Sequence, residues 1–378
     1  MFKLSTENLQ VGMKVGQNIY NANGRLLLRK DIILNESLIY QLRQFKISSI
    51  FISSEFPNIE LVEPPLLVQE KTRVKAIQTI QNTFHKCRLA SSPKIDIEEL
   101  KDTVESIIEN ILKNKNIMIQ ASDIRKHDDY TFAHSINVCV LSTLIGTLCN
   151  YDEAHLYELS LGALLHDIGK TQVPLYILNK PSSLNKDEFE LIQSHTEIGF
   201  EMLRNTKSFS VVPMHAAFQH HEKFDGSGYP RKLSGKNIHE YARIVAIADV
   251  YDALTSDRAY KNACTPDVAR NIMLNESPGH FDPDLIHLFF DHVAVYPIGS
   301  LVKLDNDYYA IVIDVVVGKA TKPKVRLLAD SNRNLIKDSI VIDLSLLKCH
   351  YSITETVKED ELVDLILNSP KKYTDSLL

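Results

Sequence analysis

Apolar residues recur at helical spacing through the middle of the chain and alternate in short runs towards its two ends. Residues 36–45 put Leu38, Ile39, Leu42 and Phe45 on one helical face. A helix over 68–89 is followed by Ser91-Ser92-Pro93. A second helix over 96–112 then groups Leu100, Val104, Ile107, Ile108 and Ile111 behind Asp96, a side chain suited to an N-cap. From about residue 115 to 295 the pattern is helical almost throughout, and 159–165 is apolar nearly all round, as in a buried helix. Period-2 runs at 11–19, 25–28 and 49–52 predict strands, the first two joined through Asn23-Gly24, a good hairpin signal. Strands are also predicted at 301–304, 308–317, 324–328 and 339–344. Asp314 and Gly318 imply a strongly bent sheet there, and a terminal helix is expected over 356–367. The reading is a mainly α protein in four parts: an α+β accessory module (1–65), a helical linker (66–119), an all-helical domain (120–295) and a β-rich extension (296–378).

Composition narrows the class. With 378 residues, 44% hydrophobic and 24% charged, the chain suits two or three ordinary globular domains. A net charge of -6 without a basic stripe argues against a nucleic-acid polymer as partner, so an anionic substrate must be held by local cations. No apolar stretch is long enough for membrane insertion, and residues 1–7 carry no signal-peptide core. Five cysteines, odd in number and without close pairs, fit a reducing cytoplasm. The segment 1–115 is expected to position the helical domain or to build a homodimer, and it leaves room for a signalling protein partner. For the helices over 68–112, intramolecular packing is the default.

The candidate chemistry lies in the helical part. His166-Asp167-Ile168-Gly169-Lys170 follows the buried helix, with Lys170 expected one turn on and on the same face as His166. Ionised groups at such a place cost several kcal/mol unless paired or metal-bound. A lone His-Asp pair at a helix end is more often hydrogen-bonded packing, but partners recur elsewhere. His134, His195, His220 and His221 also fall in or beside apolar helices, and Asp249 lies inside the apolar run 244–250. Seven imidazole and carboxylate groups exceed the needs of one ion and suit two, bridged by a carboxylate. Such ligands admit iron, manganese, zinc or nickel. His85, His155, His239, His287 and His350 read as surface or packing residues.

His134, His166-Asp167, His195 and Asp249 together resemble the HD metal-dependent phosphohydrolases. His220-His221-Glu222, Asp225-Gly226 and Gly228-Tyr229-Pro230 resemble the HD-GYP subfamily, as do 248–258 and Gly279-His280-Phe281-Asp282-Pro283. The resemblance covers about residues 125–295. It implies a phosphodiesterase cutting cyclic di-GMP to pGpG, or on to GMP, by attack of a metal-bridging hydroxide. It implies two divalent ions, iron or manganese, on His134, His166, Asp167, His195, His220, His221 and Asp249, with Asp167 as the bridge. Asp167 and Lys170 would be catalytic. Lys170, Arg258 and Lys261 would face the phosphates, and Gly228 and Tyr229 would shape the substrate pocket.

The chain departs from the pattern twice. Tyr130 stands where some members carry an acidic ligand for a third ion, so two ions are expected, with Asp128 and Asp129 disfavoured by helical spacing. Ala259 follows Arg258 where proline is usual. Two other readings stay open: a phosphodiesterase for another cyclic dinucleotide such as 3′,3′-cyclic GMP-AMP, and an effector that binds the nucleotide with little hydrolysis.

Overall fold

In a computed structural model, the structure describes residues 2–20, 26–45, 47, 49–53, 67–90, 95–114, 118, 130–206, 210–256, 263–276, 279–336, 338–358, 361, 363 and 373–374. The N-terminal part holds β1 (Phe2–Ser5), β2 (Lys14–Val15), β3 (Ile19–Tyr20), β4 (Leu26–Leu28), α1 (Glu36–Gln44) and β5 (Ser49–Ser53). The single strand expected over 11–19 is divided. β2 joins the sheet β1-β5-β2, whereas β3 pairs antiparallel with β4 in a second sheet. Gly12 takes a positive φ of 92° just before β2, and Val11 is exposed, so the strand cannot begin there. The expected hairpin turn at 21–24 lies outside the described residues.

The helical body comprises α2 (Glu70–Leu89), α3 (Ile97–Lys113), α4 (Tyr130–Leu148), α5 (Glu153–Leu164), α6 (Leu175–Leu178), α7 (Lys186–Gln193), α8 (His195–Arg204), α9 (Val211–Gln219), α10 (Glu240–Thr255), α11 (Pro266–Glu276) and α12 (Pro283–His292). Asp96 caps α3 by accepting from Glu98 N and Glu99 N, and its predicted apolar face is buried against the rest of the body. That face packs within the chain, as the pattern implied. α4, α5 and α10 are apolar on nearly all sides because neighbours surround them: one continuous core runs from Leu67 to Val293.

The C-terminal part is a bent sheet ordered β11-β6-β7-β8-β9-β12, with β10 also on β8. Its strands are β6 (Leu301–Leu304), β7 (Tyr309–Asp314), β8 (Lys324–Ala329), β9 (Leu335–Ile336), β10 (Val341–Asp343), β11 (Ile353–Thr356) and β12 (Tyr373–Thr374). The pairing of β7 with β8 shifts register between Val312 and Asp314, which supplies the bend, and Lys324 Nζ closes on Asp314 Oδ2 at 3.0 Å. Thr356 ends a strand instead of opening a helix. β6 draws Ile353–Thr356 into its ladder, and among the described residues beyond it only Glu361 and Val363 are helical. The two ends of the chain share one core, in which Leu4, Val15, Leu42 and Ile52 pack with Leu301, Tyr309, Ile311 and Leu328. No helix among the described residues is long and apolar enough to cross a membrane.

Candidate metal centre

The helix α5 ends at Leu164, because Leu165 already leaves helical geometry, and a 3-10 turn, Ile168–Gln172, follows. His166 and Asp167 therefore sit in the break between them. The expectation that Lys170 follows His166 on one helical face is not met. The tighter turn carries Lys170 Nζ to 2.6 Å from Asp167 Oδ2 instead. The break is possible because Gly169 lies directly against the start of α8: a Cβ there would collide with the His195 carbonyl and stand 2.7 Å from Gly199 N. That contact brings His195, the first residue of α8, beside Asp167. His220 and His221 leave the end of α9, and Asp249 projects from α10.

These elements converge on Asp167. Its Oδ2 lies 3.4 Å from His166 Nε2 and 3.9 Å from His134 Nε2, while Oδ1 lies 3.4 Å from His195 Nε2 and 3.8 Å from His220 Nε2. Two donor groups result: His134, His166 and Asp167, and Asp167, His195, His220 and His221, each with its ligand atoms within 4.8 Å of one another. Asp249 adds an oxygen 3.2 Å from His134 Nε2. The sequence-derived set thus meets at one place, except for the substrate-facing cations Arg258 and Lys261, which lie outside the described residues. The side chain of Tyr130, and the residues Asp128 and Asp129, also lie outside them.

The imidazoles are oriented from behind. His166 Nδ1 donates to Ala163 O at 2.8 Å, His195 Nδ1 to Ile192 O at 2.6 Å and His220 Nδ1 to Ala217 O at 2.9 Å. A carbonyl can only accept, so each ring carries its proton on Nδ1 and turns an Nε2 lone pair inward. His195 Nε2 and His220 Nε2 then face each other at 3.4 Å, two lone pairs with no proton between them. His166 Nε2 and Asp167 Oδ1 are buried without a hydrogen-bond partner. Acceptors left open at such a place are costly, and a cation satisfies them together, so the donor set fits divalent metal.

Protonation follows the same division. Burial pushes His195 down to about 4 and His221 down to about 3, and it holds His220 well below the ordinary imidazole value, so all three are neutral donors at pH 7. Burial also opposes the charged forms of His134, Asp167 and Asp249, but partners outweigh it. Asp249 and Asp252 push His134 up to about 10. Lys170 and His166 keep Asp167 well below the carboxylate range, and His134 does so for Asp249. A pH profile follows for metal-free protein. The lowered histidines contribute stability above pH 6.5 that is lost as pH falls towards 4, because the unfolded chain takes up their protons first. His134 contributes stability below pH 6.5 that is lost as pH rises through about 10. Thermal melts of chelator-treated protein should therefore peak near neutrality and fall on both sides. A melting temperature still climbing at pH 5 would contradict this.

Four further residues stand behind the centre: Glu222 and Asp252 lie in stretches that carry the family resemblance, whereas Arg73 and Asn137 carry no signal in a linear reading. Asp252, three residues after Asp249 and fully buried, accepts from His134 Nδ1 at 2.7 Å and Asn137 Nδ2 at 2.8 Å. Asn137 in turn accepts from Arg73 Nη1 of α2 at 3.0 Å. Glu222, 2% exposed, gathers the glycine loop by accepting from Arg231 N at 2.7 Å and Leu233 N at 3.0 Å. Gly228 is required in that loop, since a Cβ would lie 2.5 Å from Glu222 Cα. Its successor Tyr229 stacks on His221 with ring centroids 4.8 Å apart, and so forms one wall of the centre.

Residues 106–285 match the HD domain family. That match spans 180 of the 378 residues. The chain is 33% identical over 273 residues to a cyclic di-GMP phosphodiesterase of Pseudomonas aeruginosa, covering 72% of this chain and 65% of that protein. It is 36% identical over 193 residues to a 3′3′-cGAMP-specific phosphodiesterase of Vibrio cholerae, covering 48% of this chain and 37% of that one. The chain thus spans less than two thirds of the length of these relatives. Among solved structures, an HDG"Y"P protein of Bdellovibrio bacteriovorus superposes with a TM-score of 0.50 at 19% identity, over 76% of this chain and 97% of that one, which supports the fold of the HD domain and its surroundings. The motif resemblance to the HD-GYP group and the mainly α architecture stand with these matches.

Proposed function

We propose that this protein is a cytoplasmic phosphodiesterase that hydrolyses cyclic di-GMP to the linear dinucleotide pGpG. The observation that carries the reading is the double contact of Asp167, one oxygen facing His134 and His166 and the other facing His195 and His220. In this reading His134, His166, Asp167 and Asp249 would hold one divalent ion, and Asp167, His195, His220 and His221 would hold the other. Two ions of iron or manganese bound there would supply Lewis acidity towards a phosphodiester and acidify a water.

The chain's own residues do the rest. Asp167 keeps its charge at neutral pH because Lys170 and the imidazoles oppose the penalty of burial. Lys170, with its side chain 30% exposed, offers its remaining ammonium protons to a phosphate oxygen. Arg258 and Lys261 are assigned to the same phosphates from the sequence motif. Gly228 and Tyr229 close the side of the pocket against a base or ribose. Water adds to phosphorus in line as the ribose 3′ oxygen leaves, so one P–O bond forms and one breaks, the water releasing a proton to solvent and the 3′ oxygen taking one up to leave as a hydroxyl. A second such cycle would yield GMP.

A second substrate, 3′3′-cyclic GMP-AMP, is favoured by one observation, the 36% identity to a relative that bears that specificity in its name. The first test is metal analysis of anaerobically purified protein, with hydrolysis assays on both dinucleotides. Two ions per chain and release of pGpG are expected. Faster cleavage of cyclic GMP-AMP would keep the chemistry and change the substrate, and full metal loading without cleavage of either would overturn the enzyme reading. A homodimer or a signalling protein partner would use the N-terminal part. The apolar face of α3 is already buried within the chain, so a dimer must use another surface.

A further inference from the structure

The helix α2 lies before the residues matched to the HD domain family, yet it reaches the candidate metal centre at both ends. At its C-terminal end Arg88 Nη2 donates to Lys170 O at 3.1 Å, and Gln172 Nε2 returns a bond to Cys87 O at 2.9 Å. Towards its N-terminal end stands Arg73, only 4% exposed in a largely apolar core. A buried guanidinium costs several kcal/mol in desolvation, and a Met or Leu would fill the same volume without that cost. Its presence calls for a polar role.

The geometry around Asn137 supplies one. A carboxamide can turn either its oxygen or its nitrogen towards Asp252, and the oxygen would repel the carboxylate. Arg73 Nη1 donates to Asn137 Oδ1 at 3.0 Å, which fixes the oxygen on the α2 side and leaves Nδ2 to donate to Asp252 Oδ1 at 2.8 Å. Asp252 Oδ2 is then free to accept from His134 Nδ1 at 2.7 Å, which sets that ring's tautomer and aims Nε2 at Asp249 and Asp167. His166, His195 and His220 need no such chain, since each donates to a backbone carbonyl three residues before it.

Building on the metal-site reading proposed above, we infer that Arg73 is a positioning residue for the His134 half of the centre, and that α2 is the element through which the N-terminal part of the chain sets that half. The dependence on Arg73 is asymmetric: the ion that His134, His166, Asp167 and Asp249 would hold relies on it through Asn137 and Asp252, and the ion that Asp167, His195, His220 and His221 would hold does not.

The test uses the full chain. Chelator-treated protein is titrated with Mn²⁺ under argon, and both binding steps are followed by calorimetry. In Arg73→Met one ion should bind as in wild type and the other about 10- to 100-fold more weakly, the range typical of lost outer hydrogen bonds at metal sites. In Arg73→Lys, which keeps a donor but not the planar fork, the loss should be smaller. Hydrolysis should lose kcat at unchanged KM when Mn²⁺ is limiting and regain it at high Mn²⁺. Ile80→Ala, a fully buried apolar change on the same helix, is the control. It should lower the melting temperature with both affinities unchanged. Arg73→Met binding both ions as wild type does would overturn the inference, and so would an equal loss in Ile80→Ala. Absence of Mn²⁺ binding by the wild type would instead overturn the metal-site reading itself.

Discussion

Asp167→Asn is expected to abolish hydrolysis and to strip the protein of both ions. The substitution is nearly isosteric, so packing around a residue 2% exposed barely changes, but two features of the carboxylate are lost. The negative charge that offsets Lys170 disappears. One of the two oxygens is also replaced by an amide donor, which would point a proton at an imidazole lone pair on one side or the other. An outer hydrogen bond at a metal site is worth about 10- to 100-fold, and a shared inner ligand should exceed the upper figure, so a loss of more than about 100-fold is expected. Metal content and pGpG release measured on the same preparation check it. Retention of two ions with full activity would remove Asp167 from the bridging position.

Gly169→Ala is expected to be the most damaging single methyl in the helical body. The added Cβ would collide with the His195 carbonyl and stand 2.7 Å from Gly199 N, both of them backbone atoms that no side-chain rotation can relieve. The 3-10 turn and the start of α8 must separate, at more than about 3 kcal/mol, the upper part of the range for overpacked cores. Because the same contact sets the distance from His195 to Asp167, metal binding should fail with stability. Gly199→Ala tests the same seam from the other side. Its Cβ would come no closer than 3.3 Å to Gly169 N, so it should cost far less. Chemical denaturation of both variants decides the point, and similar midpoints for the two would refute the argument.

The pattern along the chain was informative wherever the cause of a feature is local. α1 and α3 declare themselves by an apolar stripe, which in α3 lies behind the cap Asp96, and the structure adds Asn35 as the cap of α1. The metal-centre residues are legible for a related reason: an imidazole or carboxylate in an apolar helix is costly unless something holds it, and the cost shows in the composition of its own turn. The strand expected over 11–19 is divided because its two pieces pair with different partners, β2 with β5 and β3 with β4, which apolar alternation does not record. The helix expected from 356 does not open there, because β6, far from it in sequence, claims Ile353–Thr356 for its ladder, whereas Glu361 and Val363 within the expected span are helical.

The sequence by itself thus determined the helical body and the donor types. It did so because each is a matter of burial cost within a few residues. Only the tertiary structure decided which distant side chains meet. His134 finds Asp252 across 118 positions, Asn137 finds it across 115, and Arg73 finds Asn137 across 64. The two ends of the chain likewise close on one core. These pairings depend on how helices and sheets rotate and slide against one another, and no periodicity records that, since any register that buries the same apolar face leaves the same pattern in the chain.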